Sequence, residues 1–470
     1  MFTFVALADK GLNSITFFIL ASYLTRGDYG KLDLTTTVMI GVAAVAGLEL
    51  FQGVLRLFAG ENSLDGRRAL VSTAFWTALV LGLGLSSGLL IFWRPLASLL
   101  YGHWDQRMLV LGAFWMVAYS VASVLSVALR ADLQARAVAI SSAIKLTVQV
   151  ALALWLVVGC GYHAEGLLFA QCAGLLAGNL WCALSLGGLL GFTWSATAFR
   201  RLFAFSAPLV VSSLCVVGAQ QGDRLIVWAL LSLDDVGLLT TGYRVANIVG
   251  LVTSGVMMAL SPMIYQFHQE QGTPKEIARL FRVYLVGGFA LCLVIGVMAG
   301  PALVLFVPAE YYPAARCIPF LTLALLAAQA SCFFPGLALA SRMKSFAAIQ
   351  AGTLVLNLSL CWVWGRLFGL LGVCAAGVVV QTLSCIVYAR LGHRHYPIPM
   401  EWKRLVPFLL SGGALLACWV YLDTPGWWPR VMFLLGGIVV VFASRAISVA
   451  EAVALWGQVL GQKRTHPTAA

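Results

Sequence analysis

Long apolar runs cut by short polar breaks dominate the chain, and the runs are continuous rather than alternating between apolar and polar positions. Continuous runs are the pattern of buried or membrane-spanning helices, whereas a membrane barrel needs strict alternation. A helix must present about 20 mostly apolar residues to cross the hydrocarbon layer. By that measure spans are expected near residues 2–24, 33–58, 70–93, 108–129, 138–158, 165–190, 204–231, 236–263, 283–306, 317–340, 346–364, 368–389, 405–422 and 431–448. The expected fold class is an all-α polytopic membrane protein of about fourteen helices, with both termini on one side. The N-terminus carries no basic n-region, and Asp9 and Lys10 interrupt its first run, so that run is expected to be a retained helix rather than a secretory signal.

An internal offset of about 207 residues runs through these spans. Asp28-Tyr29-Gly30 matches Asp235-Val236-Gly237, Pro95 matches Pro301, Arg136 matches Lys344, and Gly166 matches Gly372. Six helices plus six are implied, running in the same direction about an axis along the membrane normal. The expected organisation is an N-lobe over residues 1–192, a C-lobe over 193–400, and a helix pair with a tail over 401–470, with a central cavity between the two lobes.

Composition makes a soluble reading untenable: 61% of the 470 residues are hydrophobic, 10% are charged, and the mean hydropathy is +0.92. The net charge of +12 is not a nucleic-acid footprint, because the basic residues are dispersed among short loops. With a cytoplasmic N-terminus, the inner loops and tail hold Arg67, Arg68, Arg200, Arg201, Arg390, Arg394 and others, while the outer loops hold only Arg26, Lys31, Arg94, Arg107, Arg316, Arg366 and Arg430. That asymmetry obeys the positive-inside rule, so both termini are expected on the cytoplasmic side. The eleven cysteines lie mostly inside apolar runs, with no disulfide framework and no zinc spacing.

Charges inside spans cost roughly 2.5–3.5 kcal/mol each on insertion scales and usually face a polar cavity or a partner. Glu49, Gln52 and Arg56 fall on one helical stripe, and so do Ser141, Lys145 and Gln149. Lys10, Asn13 and Ser14 lie in the first span, Asp223 and Arg224 in the seventh, and Thr240, Arg244 and Asn247 on one face of the eighth. The candidate cavity residues are Lys10, Gln52, Arg56, Lys145, Gln149, Arg224, Arg244 and Asn247. A basic excess suits an anionic cargo, and guanidinium forks suit phosphate best. The alternative is internal neutralisation, with Asp223 pairing Arg224 and Glu49 pairing Arg56. Glu49 and Asp223 are the candidates for carrying a coupling proton. Phosphate-loop, HExxH and GxSxG signatures are not found, and no cofactor, metal or catalytic activity is expected.

Three stretches resemble one family. Leu20-Ala21-Ser22-Tyr23-Leu24 leads into Gly27-Asp28-Tyr29-Gly30; Phe205 to Pro208 is followed by Asp223-Arg224 and by Val236-Gly237-Leu238 to Tyr243-Arg244-Val245-Ala246; Glu310-Tyr311-Tyr312-Pro313-Ala314-Ala315 precedes Asn357 and Gly369 to Gly372. These are similar to motifs of the polysaccharide transport (Wzx-like) flippases of the MATE/MurJ-type MOP exporter superfamily. The family's Pro-Glu before Asp-Tyr-Gly is replaced here by Arg26-Gly27. The resemblance implies two six-helix lobes, alternating access, and undecaprenyl-diphosphate-linked oligosaccharide as cargo. Expected partners are that lipid-linked oligosaccharide, the bilayer, and a polysaccharide polymerase with its export machinery. A lipid II flippase, a cation-coupled MATE-type exporter and a membrane glycosyl polymerase or ligase are the competing readings.

Overall fold

A computed structural model describes residues 16–102, 105–267, 270, 272–340, 343–422 and 426–443. Every element within them is helical. Residues 16–20 form the described part of α1. There follow α2 (Arg26–Gly47), α3 (Leu50–Phe58), α4 (Leu64–Ile91), α5 (Trp93–Tyr101), α6 (Gln106–Ala131), α7 (Ala135–Ala153), α8 (Ala164–Leu186) and α9 (Ala196–Leu230). The remainder comprises α10 (Leu233–Phe267), α11 (Thr273–Phe306), α12 (Ile318–Ala330), α13 (Gly336–Leu339), α14 (Met343–His393), α15 (Trp402–Leu422) and α16 (Trp427–Ala443).

Among the described residues nine helices are long and apolar enough to span a membrane, or eleven if two bent pairs count as one span each. The chain is a multi-pass membrane protein. The 51 residues of α14 are really two helices, because Gly369 sits at φ 62°, ψ −144° inside it. At 1.5 Å per residue an unbroken helix of that length would be more than twice the hydrocarbon thickness. Gly369 therefore divides the eleventh and twelfth expected spans. Most of the first expected span, and part of the fourteenth, lie outside the described residues.

The chain divides into two compact units. One gathers the described residues of Met1–Val245 with Ala302–Cys317 and Lys344–Val380; the other gathers Ala246–Pro301, Ile318–Met343 and the described residues of Gln381–Ala470. In the first unit Leu50, Val54, Phe58, Leu70, Val71, Val124, Leu125 and Leu202 form a continuous core. Lipid tails are as apolar as leucine, so such helices associate by close packing, and small residues set how close they come. On α8 the Gly174-Leu-Leu-Ala-Gly178 spacing lies against α7: a Cβ on Gly174 would stand 2.6 Å from the Lys145 carbonyl oxygen, and one on Gly178 3.3 Å from that of Ser141. The second unit has its own core, in which Phe289 stacks edge-on against Phe408 at 5.2 Å beside Leu293 and Leu416.

The internal repeat is visible as duplicated local chemistry. Thr25 caps α2, accepting from the Asp28 amide while donating to its carboxylate. Ser232 does the same for α10 with Asp235, 207 residues later. Gly166 and Gly372 repeat a second contact: an added Cβ would lie 2.8 Å from the Tyr162 Cβ in the first and 3.0 Å from the Phe368 Cβ in the second. In both cases the neighbour is the aromatic residue four positions earlier.

Candidate functional site

The duplicated ends of α2 and α10 meet. A Cβ on Gly30 would clash with the Leu233 carbonyl, and one on Gly237 with the Arg26 carbonyl. Leu233 is Arg26 shifted by 207, and Gly237 is Gly30 shifted by 207, so the contact is reciprocal under the 207-residue offset. Only glycine allows two helix backbones this close. Arg26 reaches Asp234 at 3.8 Å, and the Tyr311 hydroxyl donates to the Leu24 carbonyl at 2.6 Å.

One turn further along lies a buried ionic cluster. Arg224 on α9 donates through Nε to Asp33 of α2 at 2.5 Å and through Nη1 to its neighbour Asp223 at 3.1 Å. Thr240, which is Asp33 shifted by 207, donates its hydroxyl to Asp33 at 2.8 Å, and Tyr243 donates to Asp223 at 2.5 Å. Asp223 and Arg224 are 8% and 9% exposed. Two carboxylates therefore share one guanidinium, which also stacks on the Tyr243 ring at 4.6 Å. An ion cluster this dry persists only because every member is hydrogen-bonded.

A second polar site lies where α2 meets α3. Leu48 and Glu49 both adopt left-handed backbone (φ 46° and 54°), and the two helices bend by 49° between them. Each left-handed non-glycine residue costs about 1–2 kcal/mol. Glu49 is 5% exposed, its Oε2 has no hydrogen-bond partner among the described residues, and it is hydrogen-bonded by the Ser213 and Gln52 side chains. It lines a cavity of about 380 Å³ together with Gln52, Tyr119, Ser120, Ser123 and Ser213.

The expected site residues thus separate into distinct places. Glu49 and Gln52 share the cavity, but Arg56 does not line it: its guanidinium sits over the Phe205 ring at 4.6 Å. Glu49 stands at the N-cap of α3, and Arg56 lies in its last turn, where it packs on Phe205 instead of facing the cavity. Lys145 and Gln149 face α8, where Gln149 is 9% exposed. Arg224 is committed to Asp33 and Asp223. Arg244 rests on Phe17 at 5.0 Å and Tyr29 at 6.0 Å, and among the described residues no carboxylate lies within ion-pair distance of it. Its buried Nε is likewise unpartnered there. Asn247 is exposed on α10, in the second unit. Lys10, with Asp9, Asn13 and Ser14, lies outside the described residues.

Asp33, Ser120 and Ser123 are not among the candidates that sequence reasoning names, and Tyr243 enters there only as part of a family motif. A signal for Asp33 existed, since the 207-residue offset maps it onto Thr240, but nothing in the sequence says that equivalent residues touch.

The fold is that of the MATE and MurJ transporters of the MOP superfamily. A structure of the lipid II flippase MurJ in an inward closed conformation superposes with a TM-score of 0.74 at 12% identity, over 98% of this chain and 99% of its own. An inward-facing multidrug resistance MATE family transporter gives 0.66 at 14% identity over 82% and 94% of the two chains, and a mutant of the Vibrio cholerae MATE transporter VcmN gives 0.58 at 14% over 83% and 93%. Identities this low establish the fold alone. A model of the polysaccharide biosynthesis protein family matches residues 19–315, and the chain belongs to that family. No curated protein matches the sequence.

Proposed function

We propose that the protein is a flippase that carries undecaprenyl-diphosphate-linked oligosaccharide across a bacterial inner membrane by alternating access, with both termini in the cytoplasm. The match of residues 19–315 to the polysaccharide biosynthesis family carries this reading. The placement of the cationic side chains supports it. Arg224 is neutralised twice over, whereas Arg244 and Arg56 rest on aromatic rings with no carboxylate in ion-pair range among the described residues. A guanidinium held by its flat face against a ring keeps its N–H edge for a phosphate oxygen. Arg244 and Arg56 are therefore the proposed contacts to the diphosphate, and the seam of Gly30 and Gly237 is the proposed closure on the outer side.

The test is a deletion strain carrying wild type, Arg244→Ala or Arg56→Ala, scored for exported polysaccharide and for lipid-linked intermediates in the cytoplasmic leaflet. Lost export with accumulation of oligosaccharide-lipid, restored by wild type and not by Arg244→Ala, is the expected result. The likeness to MurJ over nearly the whole chain favours lipid II as the second reading. In that case the deletion accumulates lipid II instead, and polysaccharide export stays normal.

A further inference from the structure

We infer that a cavity at the junction of α14 and α15 binds an anionic glycerophospholipid of the bilayer, with an acyl chain inside it and the headgroup phosphate on Arg390. The inference goes beyond the flippase reading, since this lipid is a resident of the protein and not its cargo. The cavity holds about 500 Å³, within the range that buries a small apolar ligand. Its walls include Phe334, Ile386, Ile398, Met400 and Val406, and the one permanent charge among its lining residues is Arg390. Every lining residue lies in the second compact unit.

The walls are fixed parts. Phe334 packs edge-on against Phe281 at 5.3 Å, and a Cβ on Gly336 would clash with the Gly392 carbonyl, so α13 lies directly on the end of α14. The connection Tyr396-Pro397-Ile398-Pro399-Met400 has two prolines that set φ, and the buried Ile398 pins it. Walls held this way lose little freedom when a chain enters, which favours binding. The charge around the mouth is one-sided. Residues 386–406 carry four basic side chains, Arg390, Arg394, Lys403 and Arg404, against one acid, Glu401. Glu401 is already shared by Arg282 and Arg404, at 3.0 Å from each. Among the described residues Arg390, Arg394 and Lys403 have no carboxylate within ion-pair distance. The topology expected from the charge asymmetry puts this junction at the cytoplasmic surface, and basic pockets between spanning helices on that side take anionic lipid headgroups. Trp402, 44% exposed at the start of α15, suits the headgroup layer. Free phosphate would satisfy Arg390 and leave the apolar walls unused. A neutral lipid would cover the walls and leave the guanidinium desolvated with no counter-charge.

The experiment uses purified full-length protein stripped of lipid by extended detergent washing. Unfolding temperature is followed as phosphatidylglycerol, phosphatidylcholine, undecaprenyl phosphate or inorganic phosphate is added, and retained lipid is counted by native mass spectrometry. Wild type is compared with Arg390→Gln, Ile386→Trp and Arg200→Gln, each first checked for a monodisperse elution peak. Ile386 lines the cavity and is 40% exposed, so a tryptophan there narrows the space and keeps every charge; Arg200 is an exposed base outside it. Phosphatidylglycerol should raise the unfolding temperature of wild type by a few degrees and leave a single retained lipid, and phosphatidylcholine should do neither. Arg390→Gln should weaken the response by about tenfold in lipid concentration, as loss of a charge-assisted contact to phosphate does. Ile386→Trp should abolish it, and Arg200→Gln should behave as wild type. Equal responses in Arg390→Gln and Arg200→Gln overturn the site, because lipid then collects on general charge. An equal effect of inorganic phosphate overturns the acyl-chain part, and a preference for undecaprenyl phosphate overturns the resident lipid by making the cavity part of the cargo path. Neither readout requires transport, so failure here is separate from failure of the flippase reading, which the export assay decides.

Discussion

The Gly30–Gly237 crossing makes the sharpest structural prediction. Gly30→Ala adds a Cβ that overlaps the Leu233 carbonyl oxygen and comes within 2.8 Å of its carbon. The obstacle is backbone, which cannot rotate away, so α2 and α10 must move apart. Overpacking a tight contact costs about 1–3 kcal/mol. At 1.4 kcal/mol per tenfold, the population with this seam closed falls by about 5- to 150-fold relative to the open one. Thr240 is 3% exposed and sits on the α2 side of α10, bonded to Asp33, so a cysteine there reports the opening. The assay is alkylation of Thr240→Cys by a membrane-impermeant maleimide in intact cells, with and without Gly30→Ala, against the parent carrying only its native cysteines. Labelling should rise several-fold with Gly30→Ala. Gly41→Ala on the same helix, where an added Cβ meets nothing within 4 Å, should leave it unchanged. Equal labelling in the Gly30 and Gly41 variants would refute the idea that this crossing closes the seam.

Other consequences follow from the same contacts. Arg224→Gln leaves Asp33 and Asp223 without a counter-charge and should cost about 3–5 kcal/mol, seen as loss of folded protein in detergent. Adding Asp33→Asn to that variant should recover part of the loss, and an Asp33→Asn single variant as damaging as Arg224→Gln would contradict the cluster's arithmetic. Gly174→Leu should separate α7 from α8 and lower the unfolding temperature, whereas Gly188→Ala, in open space, should not. Outside the spans, hydrogen bonds from Arg201 and Ser63 hold the Glu61 carboxyl below its ordinary pKa. Its folded value is thus lower than its unfolded one, so the contribution of Glu61 is complete above the ordinary carboxylate range and fades as pH falls through the lower folded value. Comparing unfolding temperature against pH for wild type and Glu61→Gln should show a shallower acid slope in the variant. Arg244→Lys should lower export more than its retained charge suggests if fork geometry on phosphate matters, which a dose-matched complementation assay measures.

Much of the molecule was legible along the chain because it depends on local preference. Apolar runs of membrane length mark helices, although the caps Thr25 and Ser232 start α2 and α10 a few residues before the expected spans at 33 and 236. The 207-residue offset and the family motifs need only the order of residues. Gly30 and Gly237 could be singled out as equivalents in the same way.

What the sequence could not supply is which charges find each other. Arg224 lies beside Asp223 in the chain, yet its shorter bond goes to Asp33, 191 residues away. Helical spacing orders residues on one helix; it says nothing about the rotation of that helix against its neighbours, which is what brings Asp33, Thr240 and Arg224 together. The break at Leu48-Glu49 escaped for a related reason, since an unbroken apolar run contains no signal that tertiary packing will hold two non-glycine residues left-handed. From sequence alone the chain is a repeated, helical, basic membrane protein of the polysaccharide-export type. Only the tertiary structure separates a spent arginine from an available one, and turns a polar stripe into a closed ion cluster, a polar cavity and a guanidinium on an aromatic ring, because those distinctions are made by contacts between helices.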